Sequence, residues 1–285
     1  MKITIQTQIT APINLIWTAF TSPRHIPNWN FASEDWHCPW AKGELKIGGK
    51  FTHRMEAKDG SMGFDFNGTY RGIIPNKKLS YLIEDGRSVE ITFTQLGKES
   101  IITETFEAEN THSEELQRNG WQAILDNFKS YVEKIAPDAL HFEIEIQAPV
   151  SQVKKHMLDE ESYRLWTTPF SPGSYYEGNW KKGSQIYFLT QDENGEKSGM
   201  ISKILQHIPD HYISIEHLGM IDKGKEITSG PEIETFQGIT ENYSFSAKND
   251  KTVLQVDIES VGEYKDHFND TWPKALEKLK EICEK

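Results

Sequence analysis

Apolar and polar residues alternate from Lys2 to Ile9, with Ile3, Ile5, Thr7 and Ile9 on one side. That period of two predicts a strand with one buried face. Pro12 then opens a helix whose apolar stripe is Ile13, Ile16, Trp17 and Phe20. Ser22-Pro23 predicts a second short helix through His25 and Ile26, stopped near Pro27. An irregular aromatic stretch runs from Trp29 to Trp40. Phe51, His53 and Met55 then alternate with Thr52, Arg54 and Glu56, and the hairpin turn Lys58-Asp59-Gly60 leads to Phe64, Phe66, Gly68 and Tyr70 on one face of the next strand. Turns at Pro75, Asp85-Gly86 and Gly97 separate three more strands, Leu79 to Ile83, Val89 to Thr94 and Ile101 to Phe106. A long helix from about Ser113 to Lys134 closes the series, with Trp121, Leu125, Phe128 and Val132 at helical spacing.

The same pattern occurs twice. Ala11-Pro12 returns as Ala148-Pro149, Trp29 as Trp166, Phe93 as Phe245 and Trp121 as Trp272. Residues 1–136 and 137–285 are therefore expected to be two copies of one unit, joined at Ala136-Pro137-Asp138. Consecutive strands joined by tight turns predict an α+β fold: a curved antiparallel sheet wrapped around a long C-terminal helix, built twice. The second copy is longer between Ser214 and Phe245. Its extra segment, near 219–239, is rich in glycine and predicts a long loop or lid.

A formal net charge of −12 over 285 residues argues against nucleic acid and anionic membrane surfaces as partners. The two cysteines, Cys38 and Cys283, are not a disulfide framework and suit a cytoplasmic protein. The alternating N-terminus reads as a strand rather than a signal peptide, and no stretch approaches the ~20 apolar residues of a membrane-spanning helix.

Candidate chemistry is concentrated in the first copy. Trp29, Trp36, Phe51, Phe64, Phe66, Tyr70, Tyr81 and Trp121 are candidate lining for an apolar pocket; the alternative is a solid core. His53, alternating with Phe51 and Met55, should point inward, as a ligand anchor, an acid–base group or a hydrogen-bonded core residue. His37 lies beside Trp36 and joins the candidate ligand-binding set. Asp35, His37 and Cys38 have the residue types of a nucleophilic triad, but neighbours in an extended segment point opposite ways. His207 and His211 flank Pro209 in a turn and read as surface residues, not metal ligands. No phosphate loop or dinucleotide fingerprint is present, so no cofactor is expected.

The series Ala-Pro, helix, Trp, Gly-Gly-x-Phe, Gly-x-Tyr, Pro-x-x-x-Leu and a final Gly-Trp-x-x-x-Leu-x-x-Phe resembles the family related to the activator of heat-shock protein 90 ATPase. That family belongs to the START-like, helix-grip superfamily (SRPBCC). Asn28-Trp29-Asn30, Asp35 to Pro39, Gly63 to Phe66 and Gly120-Trp121-Gln122 carry the resemblance. The second copy is degenerate: Lys182 to Ile186 stand for the Gly-Gly-x-Phe, and Pro273 replaces Gln122, where proline suits only a helix start. The resemblance implies a cavity between sheet and helix. The leading expectation is non-enzymatic binding of a small apolar or aromatic molecule in the first copy. The alternatives are a chaperone-activating role linked to stress, and a cyclase- or hydratase-like enzyme using His53.

Overall fold

The computed structural model describes residues 1–259 and 262–285. The chain divides into two compact units, Met1–Pro137 and Asp138–Lys285. Each has its own eight-stranded antiparallel sheet.

In the first unit the elements are β1 (Lys2–Ile9), α1 (Ile13–Thr21), β2 (Trp36–His37), β3 (Ala41–Gly43), β4 (Lys50–Ala57), β5 (Gly63–Ile74), β6 (Lys78–Ile83), β7 (Ser88–Leu96), β8 (Glu99–Glu107) and α2 (Glu114–Ile135). Strand order is β1-β8-β7-β6-β5-β4-β2, with β3 also on β4, so the first strand closes on the last. Ile3, Ile5 and Ile9 of β1 are buried, as their alternation requires. They share a core with Ile102 and Phe106 of β8, Val89, Ile91 and Phe93 of β7, and Leu125, Phe128 and Val132 of α2. The Ser113 side chain accepts from Leu116 N and caps α2, whose first turn carries Glu114 and Glu115.

The short helix expected after Ser22 is only a 3-10 turn, Ile26–Asn28. Pro23 and Pro27 leave too few amide donors between them for an α-helix. Its counterpart in the second unit lacks those prolines and is helical.

The second unit contains β9 (Leu140–Ile146), α3 (Val150–Leu158), α4 (Glu160–Trp166), β10 (Tyr175–Gly178), β11 (Gln185–Gln191), β12 (Lys197–Ile208), β13 (Tyr212–Asp222), β14 (Lys225–Ile227), β15 (Thr240–Lys248), β16 (Lys251–Ile258) and α5 (Lys265–Cys283). Its order, β10-β11-β12-β13-β15-β16-β9, repeats that of the first. The segment expected as a loop is partly ordered as sheet. Strand β14 folds back on β13, pairing Met220 with Ile227, and Ile233 beyond it is fully buried. Pro273 does not mark a helix start. It lies inside α5, which continues past it without the bond that a residue 273 amide would give to the Asn269 carbonyl.

Two hydrogen bonds explain repeated motifs. Ser100 Oγ donates to the Ala11 carbonyl at 3.2 Å, and Thr252 Oγ1 donates to the Ala148 carbonyl at 2.7 Å. In each copy a buried hydroxyl thus ties the Ala-Pro corner to the strand beside β1 or β9. Trp29 Nε1 donates to Ala19 O at 3.0 Å, and Trp166 Nε1 donates to Met157 O at 3.1 Å. The repeated tryptophans lock the first helical segment to the chain that follows it, which leaves the sheet's inner face to other side chains.

Candidate functional site

The inner face of the first sheet carries a connected set of rings. Phe51 lies 4.9 Å from His53, 5.0 Å from Tyr70 and 5.0 Å from Tyr81 between centroids. Phe66 is 6.1 Å from His53 and 6.1 Å from Trp121. Trp121, on α2, stacks on Phe106 at 4.1 Å. Cross-strand register produces this set: Phe51 opposes Gly68, His53 opposes Phe66, and Tyr70 opposes Tyr81. Gly68 is required where it stands, because a Cβ there would come 2.3 Å from Phe51 Cζ.

His53 is held from behind. Asn30, buried in the irregular stretch after α1, presents its side-chain amide Nδ2 to His53 Nδ1 at 2.9 Å. Nδ1 therefore accepts, and the ring proton resides on Nε2. Nε2 is occluded and has no hydrogen-bond partner. Burial lowers the His53 pKa to about 4, so the ring is neutral at physiological pH. A buried N–H donor thus faces an aromatic surface without an acceptor, an arrangement that costs about 1–3 kcal/mol if left unmet.

A second polar pair shares this face. Glu104 of β8 is buried, and burial raises its pKa to about 8 although Tyr81 hydrogen-bonds to it. Tyr81 is pushed well above the ordinary tyrosine range by burial and by the nearby Glu104. Glu104 alternates with Ile102 and Phe106, a signal that sequence reasoning passed over. Asn30 was also missed, and lies where no periodicity exists to place it.

Not every candidate joins the set. His37 opposes Glu56 on the other face of β4, its Nε2 3.7 Å from Glu56 Oε2 and its side chain 42% exposed. Trp36 packs on Phe64 at 5.9 Å, and Phe64 is 51% exposed. Phe64 shares the face of Phe66, but β6 pairs with β5 only from Gly68 onward, so the sheet does not cover it. An open depression of about 350 Å³ lies at that unpaired end, lined by Phe64, Phe66, Ile83 and Arg87 among others. Trp29 is buried between Phe20 and Phe128, at 5.3 and 4.8 Å, as core. Cys38 donates its thiol to Trp40 O at 3.4 Å, and burial pushes that thiol up to about 11. Such a thiol is a poor nucleophile, and Asp35 is exposed. His207 Nδ1 donates to Trp180 O at 2.6 Å. Among the described residues no group of three or more His, Cys, Asp or Glu is placed to hold a metal ion, and no helix is long and apolar enough to cross a membrane.

Residues 10–133 match the family model described as activator of Hsp90 ATPase homolog 1-like protein. The AHSA1-like protein of Aeromonas hydrophila is 45% identical over 47% of this chain and 93% of its own, with a TM-score of 0.45. A solved protein of Cytophaga hutchinsonii is 48% identical over 47% of this chain and 92% of its own, with a TM-score of 0.43. The chain belongs to the AHSA1-like family. Its AHSA1-like match lies in the first unit, and the second repeats the START-like fold in tandem. The di-domain ARO/CYC StfQ from the steffimycin biosynthetic pathway covers 99% of the chain and 97% of its own length, at 12% identity and a TM-score of 0.38. No curated protein matched.

Proposed function

We propose that the first, AHSA1-like unit binds a small apolar or aromatic molecule without covalent chemistry, on the inner face between β4 to β6 and α2. The unpartnered Nε2 of His53 carries this reading. It calls for a ligand with an acceptor oxygen, such as a carbonyl or phenol, set on an apolar body. Phe51, Phe66, Tyr70 and Trp121 supply the ring contacts. The unpaired end of β5 is the route of access, because there the rings thin out and Phe64 meets solvent.

The electrostatics favour holding over turning over. A His53 pKa near 4 makes the ring a weak base at neutral pH, and acid–base catalysis is most efficient with a pKa near the working pH. Native mass spectrometry of freshly purified protein, followed by titration with 1-naphthol, tests the reading. A co-purified small molecule unchanged on incubation, or saturable naphthol binding that shifts the His53 ring resonances, is expected. Chemical conversion of the bound molecule would favour an enzyme instead. Failure of any aromatic probe to reach His53 would end the proposal.

A further inference from the structure

The registers allow the two units to be matched position by position. Phe51 pairs with Gly68 and Gly68 with Ile83, as Ile186 pairs with Ser202 and Ser202 with His217. Tyr70 pairs with Tyr81 and Tyr81 with Val89, as Ile204 pairs with Ile215 and Ile215 with Glu241. The polar positions have changed places. His53, Tyr81 and Glu104 of the first unit correspond to Phe188, Ile215 and Val256 of the second. Gly68, Ile83 and Val89 of the first correspond to Ser202, His217 and Glu241.

The second unit therefore has its own buried polar cluster, elsewhere on the inner face. Ser202 is fully buried, and its Oγ lies 2.9 Å from His217 Nδ1. With that hydroxyl donating, the imidazole proton resides on Nε2. Tyr243 donates its hydroxyl to Glu241 Oε1. His217 Nε2 and Glu241 Oε2 are left facing each other at 4.0 Å, too far apart for a direct hydrogen bond. Burial pushes His217 down to about 4 and Glu241 up to about 7. Trp272 of α5, 6.1 Å from the Tyr243 ring, is 2% exposed, and its Nε1 has no partner. Tyr163 and Glu259 add their fields to the cluster, at Glu241 and His217 respectively.

We propose that this cluster is a separate binding site for a small neutral molecule with a donor and an acceptor side by side, namely a primary carboxamide on an aromatic ring. The carbonyl of the amide accepts from His217 Nε2, and its NH₂ donates to Glu241 Oε2. Tyr243 and Trp272 are the adjoining rings, and the Trp272 N–H suits a further acceptor on the ligand. A carboxylate is disfavoured at the same place, because its negative charge would have to be buried beside two carboxyl groups, Glu241 and Glu259. The site is independent of the one proposed at His53.

Benzamide is a suitable probe, with benzoate as its charged counterpart, titrated into the full chain at neutral pH and followed by NMR. Saturable benzamide binding is expected, with nuclear Overhauser contacts to the His217 ring and the Trp272 indole. Benzoate should bind at least tenfold more weakly. His217→Phe and Glu241→Leu should each weaken benzamide at least tenfold, and Trp272→Phe by less. The wild-type contacts keep the test decisive if a variant fails to fold. Absence of saturable benzamide binding, contacts only to first-unit residues, loss of binding on His53→Ala but not on His217→Phe, or benzoate bound as tightly as benzamide would each overturn the assignment.

Discussion

Asn30 Nδ2 donates to His53 Nδ1 at 2.9 Å, and this one bond determines which nitrogen of a buried imidazole carries its proton. Asn30→Asp replaces the donor by a carboxylate, which needs a proton on Nδ1 and favours the imidazolium. The His53 pKa should then climb from about 4 toward the ordinary histidine range, as read from an NMR titration of its ring. An unchanged titration would show that the bond is absent in solution.

His53→Ala should weaken 1-naphthol binding by about 0.5–1.5 kcal/mol, the worth of one buried hydrogen bond. A core residue without a ligand would instead lower the melting temperature and leave affinity per folded molecule untouched. Calorimetric titration and thermal melting on one variant separate these outcomes.

Glu104 gives the first unit a pH signature. Its folded pKa, about 8, lies above the ordinary carboxyl value of 4.5, so between these values the folded chain holds a proton that the unfolded chain releases. Stability from this group is complete below about pH 4.5 and falls as pH rises to about 8, by up to about 1.4 kcal/mol per pH unit. Glu104→Gln should flatten that decline in urea unfolding measured from pH 5 to 8. His53 has the opposite sign. Its lowered pKa means that stability is lost as pH falls from about 6.5 toward 4, where the unfolded chain takes up the proton first.

The two Ala-Pro corners can be tested in parallel. Ser100→Ala and Thr252→Val each strip a buried carbonyl of its donor and should cost about 1–3 kcal/mol. Equal losses in denaturant unfolding would show that the repeated motif does the same structural work twice. No loss in either would mean that another donor replaces the hydroxyl.

The period of two was enough to place Ile3, Ile5 and Ile9 inward, and the 3.6-residue stripe was enough for Leu125, Phe128 and Val132. The inward turn of His53 was legible in the same way. Glu104 was equally legible, since Ile102 and Phe106 flank it at the same spacing. Asn30 was not, because it lies in a stretch with no period. Phe64 follows the alternation yet stands in solvent, since the end of β6 is fixed by pairing beyond the reach of local pattern. His217 sits beside a register shift at Ile201/Ser202, where counting alternate residues fails. His37, its side chain 42% exposed, shows that the strand neighbour of Trp36 points to the opposite side.

The exchange of polar and apolar positions between the two sheets has a consequence for the chain as a whole. The copies keep one scaffold but have become unlike solvents, polar at different places on the inner face. Because a peptide bond joins them, the cell always receives the two interiors in a ratio of one to one.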